Sequence, residues 1–342
     1  MKPSVEARPS GLPIEAVDLA AFVRDRCPRG GRVVGQRPLG GGASKDIWLI
    51  QVQREDRPEP ERYVLRRASH EPSDAALTLE GEFEVMRAAF EGSVPAPEPI
   101  AFGRDAQGRP YFIMRHVEGE TLAPRLFRQD VFSEARRRLP TQMAQALAAI
   151  HRLEPTLRLR RALGAPPPEP PADRALAQYE AAFGRVARDA HPVFELAFRF
   201  LRRRPPAPNA CRLVHGDFRL GNLIFGPEGL RAVLDWELSH FGDPLEDLAW
   251  PSVRAWRFGQ DDRPVAGLAG REDFVEAYRQ AGGGPVDPDA LRWWEIFGNL
   301  RWGIITLIQA SHYLDGRTRD LEKAVIGRRA TEVAAELLNL IA

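Results

Sequence analysis

Lysine is almost missing from this sequence. Of 48 basic residues in 342, all but Lys2, Lys45 and Lys323 are arginine, so chemistry that depends on a lysine has few candidates. Cysteine is scarcer still: Cys27 and Cys211 are too few for a disulfide scaffold or a cysteine metal cluster, and two buried thiols are the expectation. No apolar run approaches the roughly 20 residues of a membrane span, and Met1, Lys2, Pro3 and Ser4 lead into no secretory apolar segment. A cytoplasmic location without membrane contact is therefore expected. Charge of one sign is lacking too: 48 basic against 47 acidic residues leave +1, which argues against a nucleic-acid partner. No internal repeat is visible. With 44% apolar and 28% charged residues the chain has ordinary soluble-protein composition, and its length suits two units or one large bilobal one.

The hydrophobic pattern changes period about a third of the way along. A short helix over residues 12–26 gives way to a strand around Val33, a glycine turn at residues 40–44 and a second strand at residues 47–52. Residues 62–66 read as a third strand, and residues 73–90 as a helix capped by Ser73 or Asp74. Pro95, Pro97 and Pro99 force an extended segment before two more strands at residues 100–103 and 111–114. Beyond Gly119 the pattern is helical: Leu139, Met143, Leu147 and Ile150 recur at helical spacing, with Pro140 read as lying near a helix start. Residues 165–171 form a proline-rich surface loop. Helices are predicted over 173–204, with a break at His191 and Pro192, and over 271–281, 288–314 and 317–341. Residues 211–236 read as strands around a turn at 226–229.

The densest chemical signal lies in that strand region. Apolar strands flank a polar loop holding His215, Gly216, Asp217 and Asn222, and the chain returns through a hairpin to Asp235. Phosphoryl transfer needs a carboxylate that orients and deprotonates the acceptor, and oxygen ligands for magnesium on the nucleotide phosphates. Asp217, Asn222 and Asp235 supply that set.

These stretches, together with Gly242, Asp243, Pro244, Leu245, Glu246 and Asp247, resemble the aminoglycoside phosphotransferase and choline kinase-like superfamily. The likeness is to its broad phosphotransferase branch, which includes the kinase-like domains of some acyl-CoA dehydrogenase proteins. The resemblance covers the chain from Val33 to the last helices. It implies an α+β, protein kinase-like bilobal fold, with residues 1–117 as the nucleotide-binding lobe and 118–342 as a helical lobe carrying the catalytic loop and acceptor site. It implies ATP and Mg2+, with Asp217 as catalytic base and Asn222 and Asp235 as metal ligands. His215 would organise the loop through hydrogen bonds, and Asp243 and Asp247 would fix the following segment by capping.

The same resemblance assigns the amino-terminal lobe. Gly41, Gly42 and Ser44 would cover the phosphates, where glycines let backbone N–H groups approach oxygen closely. Arg66 would take the place of the usual third-strand lysine, paired with Glu82, and Arg67 and Lys45 stand as alternatives for that cation. Glu80 and Glu84 compete with Glu82 as solvated helix-face residues. Met114 would back the adenine pocket, with the backbone near Arg115 and Val117 reading the base edge. Arg219, Glu237, Trp294 and Arg301 are candidate acceptor-binding residues, though core packing is the default for an indole-rich helix. The aromatic and arginine content leans toward a hydroxy acid or hydroxyacyl thioester as the small-molecule hydroxyl acceptor. An aminoglycoside-type antibiotic phosphotransferase and a nucleotide-binding pseudokinase without turnover are the alternatives, and oligomeric state is left open.

Overall fold

In the computed structural model, which describes residues 17–26, 30–39, 46–68, 76–207 and 209–342, alternating side chains build a sheet first. Strands β1 (Gly31–Pro38), β2 (Asp46–Arg54), β3 (Glu61–Arg67), β4 (Pro99–Arg104) and β5 (Pro110–Arg115) pair in the order β1-β2-β3-β5-β4. Every pairing is antiparallel. Helix α1 (Leu19–Arg26) seals one face, where Phe22 meets Tyr63 edge to face at 5.3 Å. Helix α2 (Leu79–Glu91) covers the other, and the Phe83 ring lies 5.8 Å from both Phe102 and Phe112. Because β3 is pleated, Tyr63 and Leu65 enter the α1 core while Arg66 faces α2. Thr78 caps α2 by accepting the Gly81 N–H at 3.1 Å; Ser73 and Asp74 lie outside the described residues.

The chain leaves β5 and crosses to a helical lobe with two central members. Helix α4 (Ser133–His151) follows α3 (Ala123–Arg128), and Ala135, Leu139, Met143 and Leu147 along it are fully buried. Pro140 therefore sits inside α4 rather than near its start, as burial of that face outweighs the one hydrogen bond proline cannot make. After α5 (Leu157–Leu163), α6 (Pro171–Val186) and α7 (Pro192–Arg203) come β6 (Arg212–Val214), the hairpin β7 (Leu223–Gly226) and β8 (Gly229–Val233), and β9 (His240–Gly242), which pairs with β6. The rest is α8 (Pro244–Ala249), α9 (Arg271–Gln280), the second central helix α10 (Pro288–Leu314), α11 (Leu321–Ile326) and α12 (Ala330–Ile341). The single helix expected over 317–341 is broken by a 3-10 turn at Gly327–Arg329. No helix among the described residues is long and apolar enough to cross a membrane. Cys211 is half-buried rather than buried, and burial pushes its thiol up; Cys27 lies outside the described residues.

Where the lobes join, Glu120 pairs with Phe225 of β7 through two backbone hydrogen bonds, 2.9 and 3.0 Å long. Gly119 makes that approach possible: its φ is 153°, and a β-carbon there would lie 2.4 Å from Ile224 Cγ2 and 2.7 Å from the Phe225 carbonyl oxygen. Gly119→Ala is expected to lower stability by about 2–3 kcal/mol through overpacking against that carbonyl, measured by urea unfolding.

Candidate active site

Asp217 lies in the loop between β6 and the 3-10 turn Leu220–Asn222, and its carboxylate is held by three donors. Trp250 Nε1 donates at 2.8 Å, Asn222 Nδ2 at 2.7 Å and Arg219 Nε at 3.1 Å. Asn222 Nδ2 also donates to the Asp217 carbonyl at 2.9 Å, so its amide oxygen is the atom left to meet a cation. Such a fixed carboxylate has its lone pairs set before a substrate arrives.

Beneath the loop a buried polar layer keeps its backbone in place. Asp247 turns away from α8 and accepts the N–H groups of His215 at 2.6 Å and Gly216 at 2.9 Å. It organises the loop directly and does not cap a helix; Asp243 is the cap of α8, accepting the Leu245 N–H at 2.9 Å. Burial opposes the Asp247 charge, yet the His151 hydrogen bond and charge, with the His215 N–H, hold its carboxyl below the usual range. Burial pushes Asp243 up instead. His215 accepts the Asp217 N–H on Nδ1 at 3.2 Å and donates from Nε2 to the Leu234 carbonyl at 2.9 Å, which places its proton on Nε2. Its ring thus ties the Asp217 loop to the strand leading to Asp235. His151 extends the layer, bridging Asp247 at 3.2 Å and the Tyr278 hydroxyl at 2.9 Å, and burial pushes Tyr278 up to about 12.

Asp235 follows β8 and has φ 67°, a left-handed conformation uncommon for a residue other than glycine. It turns toward Arg66, whose Nη1 lies 3.5 Å from Asp235 Oδ1. The same guanidinium pairs with Glu82 of α2, and through Nη2 with Glu237 at 2.8 Å. Arg66 thus links the sheet, α2 and the strand end after β8. The alternative, Arg67, faces the opposite side of β3 and is buried against Asp46 and Asp105. Lys45, Gly41, Gly42 and Ser44 lie outside the described residues. Glu84 is half-buried rather than solvated, pairing with Arg87 on its own helix and with Arg158 of α5 at 3.4 Å.

At the hinge, Met114 is half-buried between β3 and β4, where it stands opposite Val64 and Pro99. The Arg115 N–H donates to the Glu98 carbonyl at 2.8 Å and the His116 N–H to the Arg62 carbonyl at 3.0 Å. Val117 is the next backbone N–H, and it meets no backbone carbonyl among the described residues.

A model of the phosphotransferase enzyme family matches residues 35–294 of the chain. The chain belongs to that family. This phosphotransferase is 32% identical over 276 residues to acyl-CoA dehydrogenase family member 11 of Pongo abelii, a match covering 72% of the chain and 34% of the relative. It is 32% identical over 220 residues to acyl-CoA dehydrogenase family member 10 of Mus musculus, covering 60% and 20%. The chain spans between a fifth and about a third of the length of these curated relatives. Among solved structures it resembles a candidate aminoglycoside phosphotransferase of Ralstonia eutropha, with a TM-score of 0.73, 22% identity and coverage of 96% and 97%. A spectinomycin phosphotransferase crystallised with ADP and spectinomycin gives 0.61, 13%, 94% and 97%. These likenesses establish the bilobal kinase-like fold for the phosphotransferase.

The donor set of this phosphotransferase fits magnesium: the Asn222 amide oxygen and the Asp235 carboxylate are hard oxygen ligands, few enough to leave places for water and phosphate. The described residues hold no cluster of three or more His, Cys, Asp or Glu, so a closed all-protein metal cage is absent there. Of the candidate acceptor residues, Trp294 is 1% exposed and donates to Asp243 at 3.0 Å, a place in the packing under the loop. Arg301 is buried as well, bonded to Glu246 at 2.7 Å and the Gly216 carbonyl at 2.8 Å, with its guanidinium 4.5 Å from the Trp250 ring centre. Both act on the loop from below rather than line an open wall. Glu237 is spent on Arg66, and Arg219 remains beside Asp217 at the surface. Sequence reasoning missed Trp250, a direct partner of Asp217, and the His151–Tyr278 pair. A signal for Trp250 existed: it follows α8 immediately, and Asp243 at the helix start had been singled out.

Proposed function

We propose that this phosphotransferase moves the γ-phosphoryl group of ATP, with Mg2+, to a hydroxyl of a small molecule. The observation that carries the reading is the Asp217 carboxylate, fixed by Trp250, Asn222 and Arg219, in a loop stapled through His215 to the strand that presents Asp235. In the reaction the hydroxyl oxygen forms a bond to the γ-phosphorus, the bond to the β,γ-bridging oxygen breaks, and ADP leaves with that electron pair. Asp217 orients the hydroxyl and takes its proton. Asn222 and Asp235 would hold the magnesium, which would supply positive charge to offset that of the phosphates. Arg66, steadied by Glu82, faces the phosphates, and the Val117 N–H and Arg115 carbonyl read the adenine edge, the lobes dividing at Val117. Residues 40–44 complete the phosphate cover. A cytoplasmic location belongs to the same proposal and rests on composition.

The acceptor we favour is a hydroxy acid or hydroxyacyl thioester. An aminoglycoside is a polycation and would meet Arg219 beside the catalytic carboxylate. The pseudokinase reading drew on the missing lysine, and the Arg66–Glu82 pair supplies a cation in its place. The test is Mg2+-dependent ADP formation against hydroxy acids, hydroxyacyl thioesters, choline analogues and aminoglycosides. Stimulation by an acid or thioester is expected; stimulation by an aminoglycoside alone would transfer the assignment to antibiotic modification.

A further inference from the structure

Gly216, the residue before Asp217, is held at both of its backbone groups by side chains of opposite charge. Its N–H donates to Asp247 at 2.9 Å, and its carbonyl accepts Arg301 Nη2 at 2.8 Å. Its φ is 82°, and a β-carbon there would lie 2.3 Å from the Leu238 carbonyl oxygen, so backbone closes the slot in which it sits. The Arg301 guanidinium also lies 4.5 Å from the centre of the Trp250 ring, whose Nε1 donates to Asp217. One buried cation thus supports the catalytic carboxylate twice, through the backbone that precedes it and through the indole bonded to it.

Arg301 is itself held by Glu246 of α8, and that carboxylate is shared. Its Oε1 accepts Arg301 Nη1 at 2.7 Å, while its Oε2 lies 3.2 Å from His240 Nε2. The other ring nitrogen, Nδ1, faces the Leu238 carbonyl at 3.0 Å, the same carbonyl that closes the slot against Gly216. A carboxylate and a carbonyl can only accept, so both ring nitrogens donate and His240 is the imidazolium. Its side chain is 37% exposed, open to protons from solvent, whereas those of Arg301 and Glu246 are 5% and 8% exposed. Burial opposes the charge on His240, but Glu246 and the Leu238 carbonyl outweigh it and hold the proton above the usual histidine range. The charged groups acting on the ring are Glu246 from α8 and Arg301 from α10. Asp247, also on α8, is taken up by the loop amides, Arg174 of α6 by the Phe241 carbonyl, and the residue opposite His240 on β6 is Val214.

We infer that His240, Glu246 and Arg301 are a positioning triad for the Asp217 loop, through which a proton foreign to the reaction sets how firmly the catalytic carboxylate is presented. Only the effect on turnover rests on the phosphoryl-transfer reading; the coupling of the triad to the loop stands on its own geometry. A neutral His240 has one donor for two acceptors, so either Glu246 or the Leu238 carbonyl goes without its partner. The clamp is complete while His240 keeps its proton and loosens as pH rises through the raised folded-state value.

One pH titration of the full chain, followed in three ways, tests this. The ring resonance of His240, assigned by its loss in His240→Gln, gives the midpoint. The indole N–H resonance of Trp250, assigned with Trp250→Phe, should shift with the same midpoint. ADP formation from ATP and Mg2+, with water as the acceptor, should fall along a basic limb at that pH. In His240→Gln protein the indole shift and the basic limb should both vanish, while binding of a non-hydrolysable ATP analogue stays within about threefold of the parent. Arg301→Gln should lower ADP formation at its optimum about 10²-fold, the cost of misplacing a reacting group by about an ångström, and Arg301→Lys should recover part of it. Should Arg301→Gln fail to fold, the half-exposed His240 site carries the test alone. A merely structural role would lower thermal stability in these variants and leave the basic limb in place. An indole resonance that ignores the His240 titration, or a basic limb that persists in folded His240→Gln protein, would overturn the inference. An indole shift that follows His240 without ADP formation at any pH would leave it standing and count against the kinase reading instead.

Discussion

Asp217→Ala protein turns over about 10³-fold more slowly than the parent while nucleotide affinity changes by less than about threefold; this is the expected result, within the range seen when a proton acceptor is removed. The reason lies in how the carboxylate is held. Trp250, Asn222 and Arg219 all donate to it, so it is oriented before any acceptor enters, and its loss removes orientation and proton acceptance together. In the proposed reading nucleotide binding rests on other elements, the β3 cation and the hinge, which make no hydrogen bond to Asp217. Asp217→Asn separates the two contributions, since the amide keeps the shape but cannot accept the proton. Turnover is measured by ADP release at saturating nucleotide, and binding by titration with a non-hydrolysable ATP analogue. An alanine variant that still phosphorylates its acceptor at the parent rate would remove Asp217 from the mechanism.

Asp235→Asn carries the second large effect, a fall in turnover of about 10²- to 10³-fold that rising Mg2+ partly reverses. Asparagine is the informative replacement because it tolerates the left-handed backbone seen at φ 67°, so the fold around it is kept while the charge is lost. Alanine would confound the two. Arg66 responds as well: its Nη1 loses the carboxylate at 3.5 Å but keeps Glu82, and its Nη2 keeps Glu237, so the side chain stays in place. The measurement is the Mg2+ dependence of ADP formation, where the expected signature is a half-saturating concentration at least about tenfold higher than in the parent. An unchanged magnesium requirement would take Asp235 out of the metal site.

How far these residues were legible in the sequence varied with the range of the contact. Asp217, Asn222 and Asp235 were visible because local strand and turn chemistry brackets them within 19 positions of one another. The five-stranded sheet was legible for the same reason: alternation and proline punctuation mark strands individually. Burial patterns misled where tertiary packing overrode a local rule, as at Pro140, which rides inside α4. The indoles of Trp293 and Trp294 looked much like those of Trp250 and Trp256 in composition, yet only the folded chain shows that one pair packs the interior and the other reaches Asp217 or its arginine. Which of Arg66 and Arg67 faces α2 was likewise a matter of pleat parity, and the folded chain puts Arg66 there, beside Glu82, and Arg67 on the face with Tyr63 and Leu65. Asp247 lies 32 residues from the amide it holds, a separation that no sequence motif spans.

The grouping of Arg66 with Glu82, Asp235 and Glu237 has a further consequence for how the donor arrives. One positive group facing three carboxylates leaves a local formal deficit of two positive charges, the charge of one divalent ion. Free ATP brings several negative charges of its own and is repelled by such a basin, whereas its magnesium complex delivers the missing cation in the same encounter. On the proposed ATP reading, the form drawn into the cleft would be the metal–nucleotide pair, and excess uncomplexed ATP would be a poor competitor for entry.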